Sequence, residues 1–106
     1  MMRPGESVHA PHLVDLEVAN ALRKLAGRRE VTGDRARAAL EDWGDARIVR
    51  HPHANLLDRI WQLQAGVNAY DAAYLALAEA LVAPLVTCDG RLARSSGHRA
   101  RIRLIA

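Results

Sequence analysis

NAYDAAYLALAEALVAPLVTCDG, residues 68–90, is the stretch that decides the fold. Residues 70–82 are Ala-rich and apolar nearly all round, and Glu79 is the one charge after Asp71. This composition predicts a helix buried on most of its faces. Residues 84–88, PLVTC, form a continuous apolar run of strand length, the pattern of a strand covered on both sides, and Asp89-Gly90 ends it. A buried helix feeding a buried strand is the unit from which parallel α/β sheets are built.

Working outward, Arg101, Ile102, Arg103 and Leu104 alternate as a half-buried edge strand does. Upstream, Pro52 starts a helix carrying Leu56, Leu57, Ile60, Trp61 and Leu63 up to Gly66, and residues 46–50, ARIVR, are a short strand. Thr32 and Asp34 precede a helix with Ala36, Ala39, Leu40 and Trp43 on one stripe, closed by Gly44. Before it, Val18, Ala21, Leu22 and Leu25 repeat at helical spacing behind Asp15 as N-cap, with Gly27 as the stop. Residues 8–14 are a brief strand interrupted by Pro11, and residues 1–7, MMRPGES, are a flexible lead-in. The alternation predicts an α/β domain with a mostly parallel sheet and right-handed crossovers.

The 106 residues, half of them hydrophobic, are enough for one domain and no more. A single cysteine, Cys88, rules out an internal disulfide and reads as a small buried hydrophobe. His9, His12, His51 and His53 sit in Pro-containing connections and His98 in a basic tail, without zinc-site spacing, so they read as scattered surface imidazoles. No run reaches the roughly 20 apolar residues of a membrane span, and the N-terminus has no apolar signal core, so a cytoplasmic protein is expected. The net charge is +3, and residues 90–106 hold Arg91, Arg94, Arg99, Arg101 and Arg103 without one acid, which suits a polyanion. Only two Trp, two Tyr and no Phe are present, too few for a base-stacking platform.

Three carboxylates stand at element boundaries: Glu17 in LVDLEVANAL, Asp71 in NAYDAAY and Asp89 in PLVTCDG. Ligands of open α/β folds gather at the carboxyl edge of the sheet, so these acids read as a metal site there. Mg²⁺ takes oxygen ligands and needs only one or two protein carboxylates beside phosphate oxygens, and such an ion promotes phosphodiester cleavage. Each acid also has a structural reading: Glu17 a first-turn residue favoured by the helix dipole, Asp71 a helix-start residue, Asp89 a turn residue. Asn20, one turn beyond Glu17, would orient that carboxylate or a metal-bound water, or else stand as a solvated helix position; Thr87 would donate to a ligand or phosphate oxygen, and a strand threonine satisfied by backbone is as good a reading. Arg91 and Arg94, a turn apart after Asp89, would hold RNA phosphates, and a solvated basic face explains them equally well.

Taken together, LVDLEVANALRKLA, NAYDAAYLALAEAL and APLVTCDGRLAR resemble the PIN domain, and specifically the VapC toxins of bacterial toxin-antitoxin pairs. The likeness runs from about His9 through nearly the whole chain, and its order and spacing are far more specific than any single acid. It implies a three-layer PIN-like fold and a Mg²⁺-dependent endoribonuclease, with Mn²⁺ as the other suitable ion. It also implies a homodimer neutralised by a VapB-like antitoxin. By that likeness Glu17, Asp71 and Asp89 fall on the second, third and fourth acidic positions of the family, and Asn68 stands where Thr or Ser is common. VapC proteins open with a central strand ending in Asp, whereas this sequence begins with MMRPGES, so a sheet without its first central strand and a site short of one acid are expected. That departure supports a rival reading, a non-catalytic PIN remnant acting as a protein- or RNA-binding module. A small basic helical nucleic-acid binder fits less well, since no helix-turn-helix spacing is visible.

Overall fold

Strands and helices alternate along the chain as the apolar periodicity predicts, and the computed structural model describes residues 7–64 and 66–105. All of the expected lead-in except Ser7 lies outside the described residues. The elements fall into two compact units, residues 1–51 and 52–106.

The first unit runs β1 (Val8–Pro11), α1 (Val14–Gly27), α2 (Gly33–Gly44) and β2 (Ile48–His51). β1 and β2 pair in parallel with Val8 opposite Ile48 and Pro11 opposite His51, and the two helices form the connection. Thr32 caps α2, its hydroxyl accepting from the Arg35 N–H at 3.1 Å. Asp15 does not cap α1, contrary to expectation: Leu13 holds the cap position without a side-chain bond. Instead the Asp15 carboxylate accepts from Trp43 Nε1 at 2.8 Å and from Arg50 Nε at 2.8 and 3.0 Å, tying α1 to α2 and β2. The Arg50 hydrogen bond, then that of Trp43, holds this carboxyl below the usual carboxylate range. Arg50 also lies 5.9 Å over the Trp43 ring. Trp43 is thereby used inside the unit.

The second unit runs through a 3-10 turn (Ala54–Leu56), α3 (Leu57–Gln62), α4 (Ala69–Leu81), β3 (Leu85–Thr87), α5 (Gly90–Ala93) and β4 (Ile102–Leu104). α3 starts later and ends earlier than the sequence predicts, because Pro52 leads into the 3-10 turn and the chain leaves the helix at Leu63. α4 matches its prediction and carries the core: Ala72, Ala73, Leu75, Ala76, Leu77 and Ala78 are buried. Leu63 and Leu92 pack on its inner face, with Ile60, Val67, Leu85 and Ile102 around them. The helix ends at Val82, which takes a left-handed conformation with φ 50°, a costly choice for a β-branched residue. β3 and β4 pair in parallel, Leu85 opposite Ile102 and Thr87 opposite Leu104.

The α/β class and parallel pairing agree with the expected fold, while the sheet is present as two separate two-stranded ladders. β1 and β3, expected to flank a missing central strand, belong to different ladders. β3 is not covered on both faces as its apolar run suggests: Val86, on the face opposite Leu85 and Thr87, is exposed. Cys88 is exposed as well, because β3 ends at Thr87 and leaves it in the turn. No helix among the described residues is long and apolar enough to cross a membrane.

Glu79, the single charge predicted on the buried helix after Asp71, is paired there. Its carboxylate accepts from Arg59 Nε at 2.7 Å and Nη2 at 2.8 Å, and from the Arg99 backbone N–H at 2.7 Å. The side chain is only 6% exposed. The Arg59 hydrogen bonds pull its carboxyl down to about 2, against the opposing effect of burial.

Candidate metal centre

The site begins with the start of α4. Asn68 is extended, and its Oδ1 accepts from the Asp71 N–H at 2.8 Å, so Asn68 is the N-cap and Asp71 lies in the first turn. The Asp71 carboxylate is not used by the cap. Its side chain is 24% exposed.

At the carboxyl end of β3 the chain turns through Asp89, the N-cap of α5. Asp89 Oδ1 accepts from the backbone N–H of Arg91 at 2.9 Å and of Leu92 at 3.3 Å. The Asp89 N–H in turn donates to Thr87 Oγ1 at 3.0 Å, so this threonine is satisfied by backbone and fixes the turn. One carboxylate oxygen caps the helix; the other faces Arg91.

Arg91 joins the acids. Its Nη2 lies 3.8 Å from Asp71 Oδ2 and 3.9 Å from Asp89 Oδ2. The two oxygens are therefore no farther apart than those distances together allow. Clustered carboxylates repel one another, and this exposed guanidinium offsets the repulsion. Arg94, expected beside Arg91 on one basic face, folds back over Gly90, where an added Cβ would come 3.1 Å from its Nη1.

Glu17 lies in the first turn of α1 in the other unit, as its dipole reading predicts, and Asn20 is one turn further along the same helix. Both are exposed. Among the described residues, no group of three or more His, Cys, Asp or Glu side chains is gathered closely enough to hold an ion.

The donor set that is gathered consists only of carboxylate oxygens turned toward one positive group. That chemistry fits a hard divalent cation such as Mg²⁺ or Mn²⁺ and disfavours a soft one. The structure brings Arg91 between Asp71 and Asp89 as a shared counter-ion, a role that its place two residues after Asp89 does not announce, since side chains two apart on a helix do not face each other.

A family model described as PIN domain matches residues 1–97. Ribonuclease VapC9 of Mycobacterium tuberculosis is 48% identical over 88 residues, which are 83% of this chain and 69% of that relative. Ribonuclease VapC12 of the same organism is 40% identical over 102 residues, 96% of this chain and 79% of the relative. Ribonuclease VapC1, also from that organism, is 44% identical over 98 residues, with 92% and 74% covered.

Proposed function

Because this chain belongs to the PIN domain family, among its VapC-type members, we propose that it is a toxin of the VapC kind, an endoribonuclease that cleaves RNA phosphodiesters with Mg²⁺ or Mn²⁺. The observation that carries the metal role is the turning of Asp71 and Asp89 onto one cationic group. These two carboxylates hold the ion, and Glu17 is assigned as the third ligand from its place in the family pattern. When bound, the ion supplies Lewis acidity to the phosphoryl oxygens and promotes attack by water.

The protein's own residues do the rest. Asn68 and Thr87 position the acids through the backbone of Asp71 and Asp89. Asn20 orients Glu17. With a cation on the carboxylates, Arg91 would be free to join Arg94 in holding the phosphates flanking the cut. The acid-free arginine tail adds attraction for the backbone without reading bases.

Calorimetric titration with Mn²⁺ tests this arrangement. The wild type should show one saturable site that EDTA empties. Arg91→Gln should bind Mn²⁺ about two- to fivefold more tightly, since an exposed competing ion pair is worth a fraction of a kcal/mol, and should bind RNA more weakly. An unchanged Mn²⁺ affinity would remove the counter-ion role. The second reading is a non-catalytic module that binds through its acid-free arginine tail. It gains if the wild type shows no saturable site at all.

The proposed setting is the cytoplasm, with a VapB-like antitoxin as partner and a second copy of the chain as dimer mate. Trp61 and Leu57, one turn apart on α3, are 74% and 56% exposed, more apolar surface than that helix needs to leave in water. Light scattering should give a dimer mass that rises on adding the antitoxin, with loss of RNA cleavage. A monomer at all concentrations would rule out the dimer.

A further inference from the structure

A pair of histidines on the β1–β2 ladder stands outside everything assigned above. In that parallel register His9 is opposite Val49 and Pro11 is opposite His51. Side chains alternate along a strand, so His9 and His51 project from the same face as diagonal neighbours. The His12 N–H donates to the His51 carbonyl at 2.8 Å, extending the ladder one step and fixing the backbone beneath the second ring.

The rings meet nitrogen to nitrogen. His9 Nδ1 lies 2.8 Å from His51 Nε2, with ring centroids 5.0 Å apart and planes inclined by 33°. On its far side His9 Nε2 lies 2.8 Å from Ser7 Oγ. When His9 donates its Nε2–H to that hydroxyl, its Nδ1 lone pair points at His51, the arrangement by which a neighbouring acceptor orients a metal-bound imidazole. Arg50, between the strand partners in sequence, alternates to the other face and is held by Asp15. No guanidinium of β2 therefore opposes a cation at the two rings.

We propose that His9 and His51 form a chelate site for a borderline divalent cation of the zinc class, bound through His9 Nδ1 and His51 Nε2. Imidazole nitrogen suits Zn²⁺, Ni²⁺ and Cu²⁺, whereas Mg²⁺ prefers oxygen. Zn–N bonds of about 2.0–2.1 Å at a tetrahedral angle set the nitrogens about 3.3 Å apart, so the rings, which now meet nearly head-on, must part by about half an ångström and tilt until both lone pairs converge on the ion. No net proton is released: His51 moves its N–H from Nε2 to Nδ1, and both facing lone pairs become available. Water fills the remaining positions, and the bound ion pins β1 to β2.

The experiment is a titration of the whole chain with Zn²⁺ near pH 7.5, in excess Mg²⁺, followed by calorimetry and by the ring resonances of the histidines. One equivalent should bind and perturb His9 and His51, leaving His12, His53 and His98 unmoved. His9→Gln and His51→Gln should each weaken binding about a hundredfold or more, and Ser7→Ala about tenfold, as loss of an orienting partner does. The site uses neither Asp71 nor Asp89, so Asp71→Asn should leave Zn²⁺ binding intact whatever becomes of the nuclease reading. Absence of stoichiometric binding, or binding that survives both histidine substitutions or shifts other rings, overturns the proposal; the wild-type resonances decide it even if a variant fails to fold.

Discussion

Asp71→Asn and Asp89→Asn should each reduce Mg²⁺-dependent RNA cleavage by at least about a hundredfold, while both variants stay folded. Partners that merely orient a ligand cost about 10–100-fold when removed, so losing the negative charge of a ligating carboxylate should cost more. The folding half follows from the caps. Asp71 accepts no cap bond, since Asn68 supplies it, and its replacement leaves the start of α4 in place. Asp89 does cap α5, and Asn is an equally good N-cap, able to accept from the same two N–H groups. Thermal melts near the wild-type midpoint, with cleavage assayed alongside, would confine the loss to chemistry. Cleavage that survives in both variants would take the metal role from these acids.

Glu79→Ala should be the most destabilising change of a charged residue in the second unit. It removes the partner of Arg59, whose side chain is 27% exposed, and leaves the Arg99 N–H without its acceptor. The pair is partly buried, and leaving its hydrogen-bonding groups without partners costs about 1–3 kcal/mol, a sizeable part of the roughly 5–15 kcal/mol that holds a domain together. The melting midpoint should fall by about 5–15 °C.

Acid should reach the same interaction. The folded carboxyl titrates near 2 against 4.5 for the ordinary group. A folded value below the unfolded one means stability that is complete above about pH 4.5 and is lost as pH falls toward 2, about 3 kcal/mol in all. Glu79→Gln keeps a hydrogen-bonding side chain without the titration, so its stability should vary less across that window. Equal acid sensitivity in the two proteins would mean that the Glu79–Arg59 pair is not what acid breaks.

Local signals made most of the elements legible. Thr32, Gly44, the apolar stripes and the turn at Asp89-Gly90 place helix ends and strand ends within a few residues, because caps and periodicity act over one or two turns. Asp71 and Asp89 were legible as candidates for the same reason. What stayed hidden depends on which distant residues meet. Asp15 looks like a cap until Trp43 and Arg50, 28 and 35 positions away, claim its carboxylate. Glu79 stands out as a charge on an apolar helix, yet nothing in the letters names Arg59, 20 positions earlier, as its mate. His9 and His51 look like separate surface rings because only the strand register, a pairing 42 residues apart, brings them together. Exposure of Cys88 and Val86 was misjudged because an apolar run says neither where the strand ends nor whether each of its faces is covered.

The interior of the second unit is lined along α4 by methyl groups, since Ala72, Ala73, Ala76 and Ala78 face inward beside Leu75 and Leu77. Such a helix lets its neighbours come close to its own main chain, and cohesion there comes from proximity more than from bulk. Sequence drift at these positions is therefore lopsided: almost nothing smaller is on offer, and almost anything larger wedges the layers apart. The seam should tolerate change on its partners' side far better than on its own.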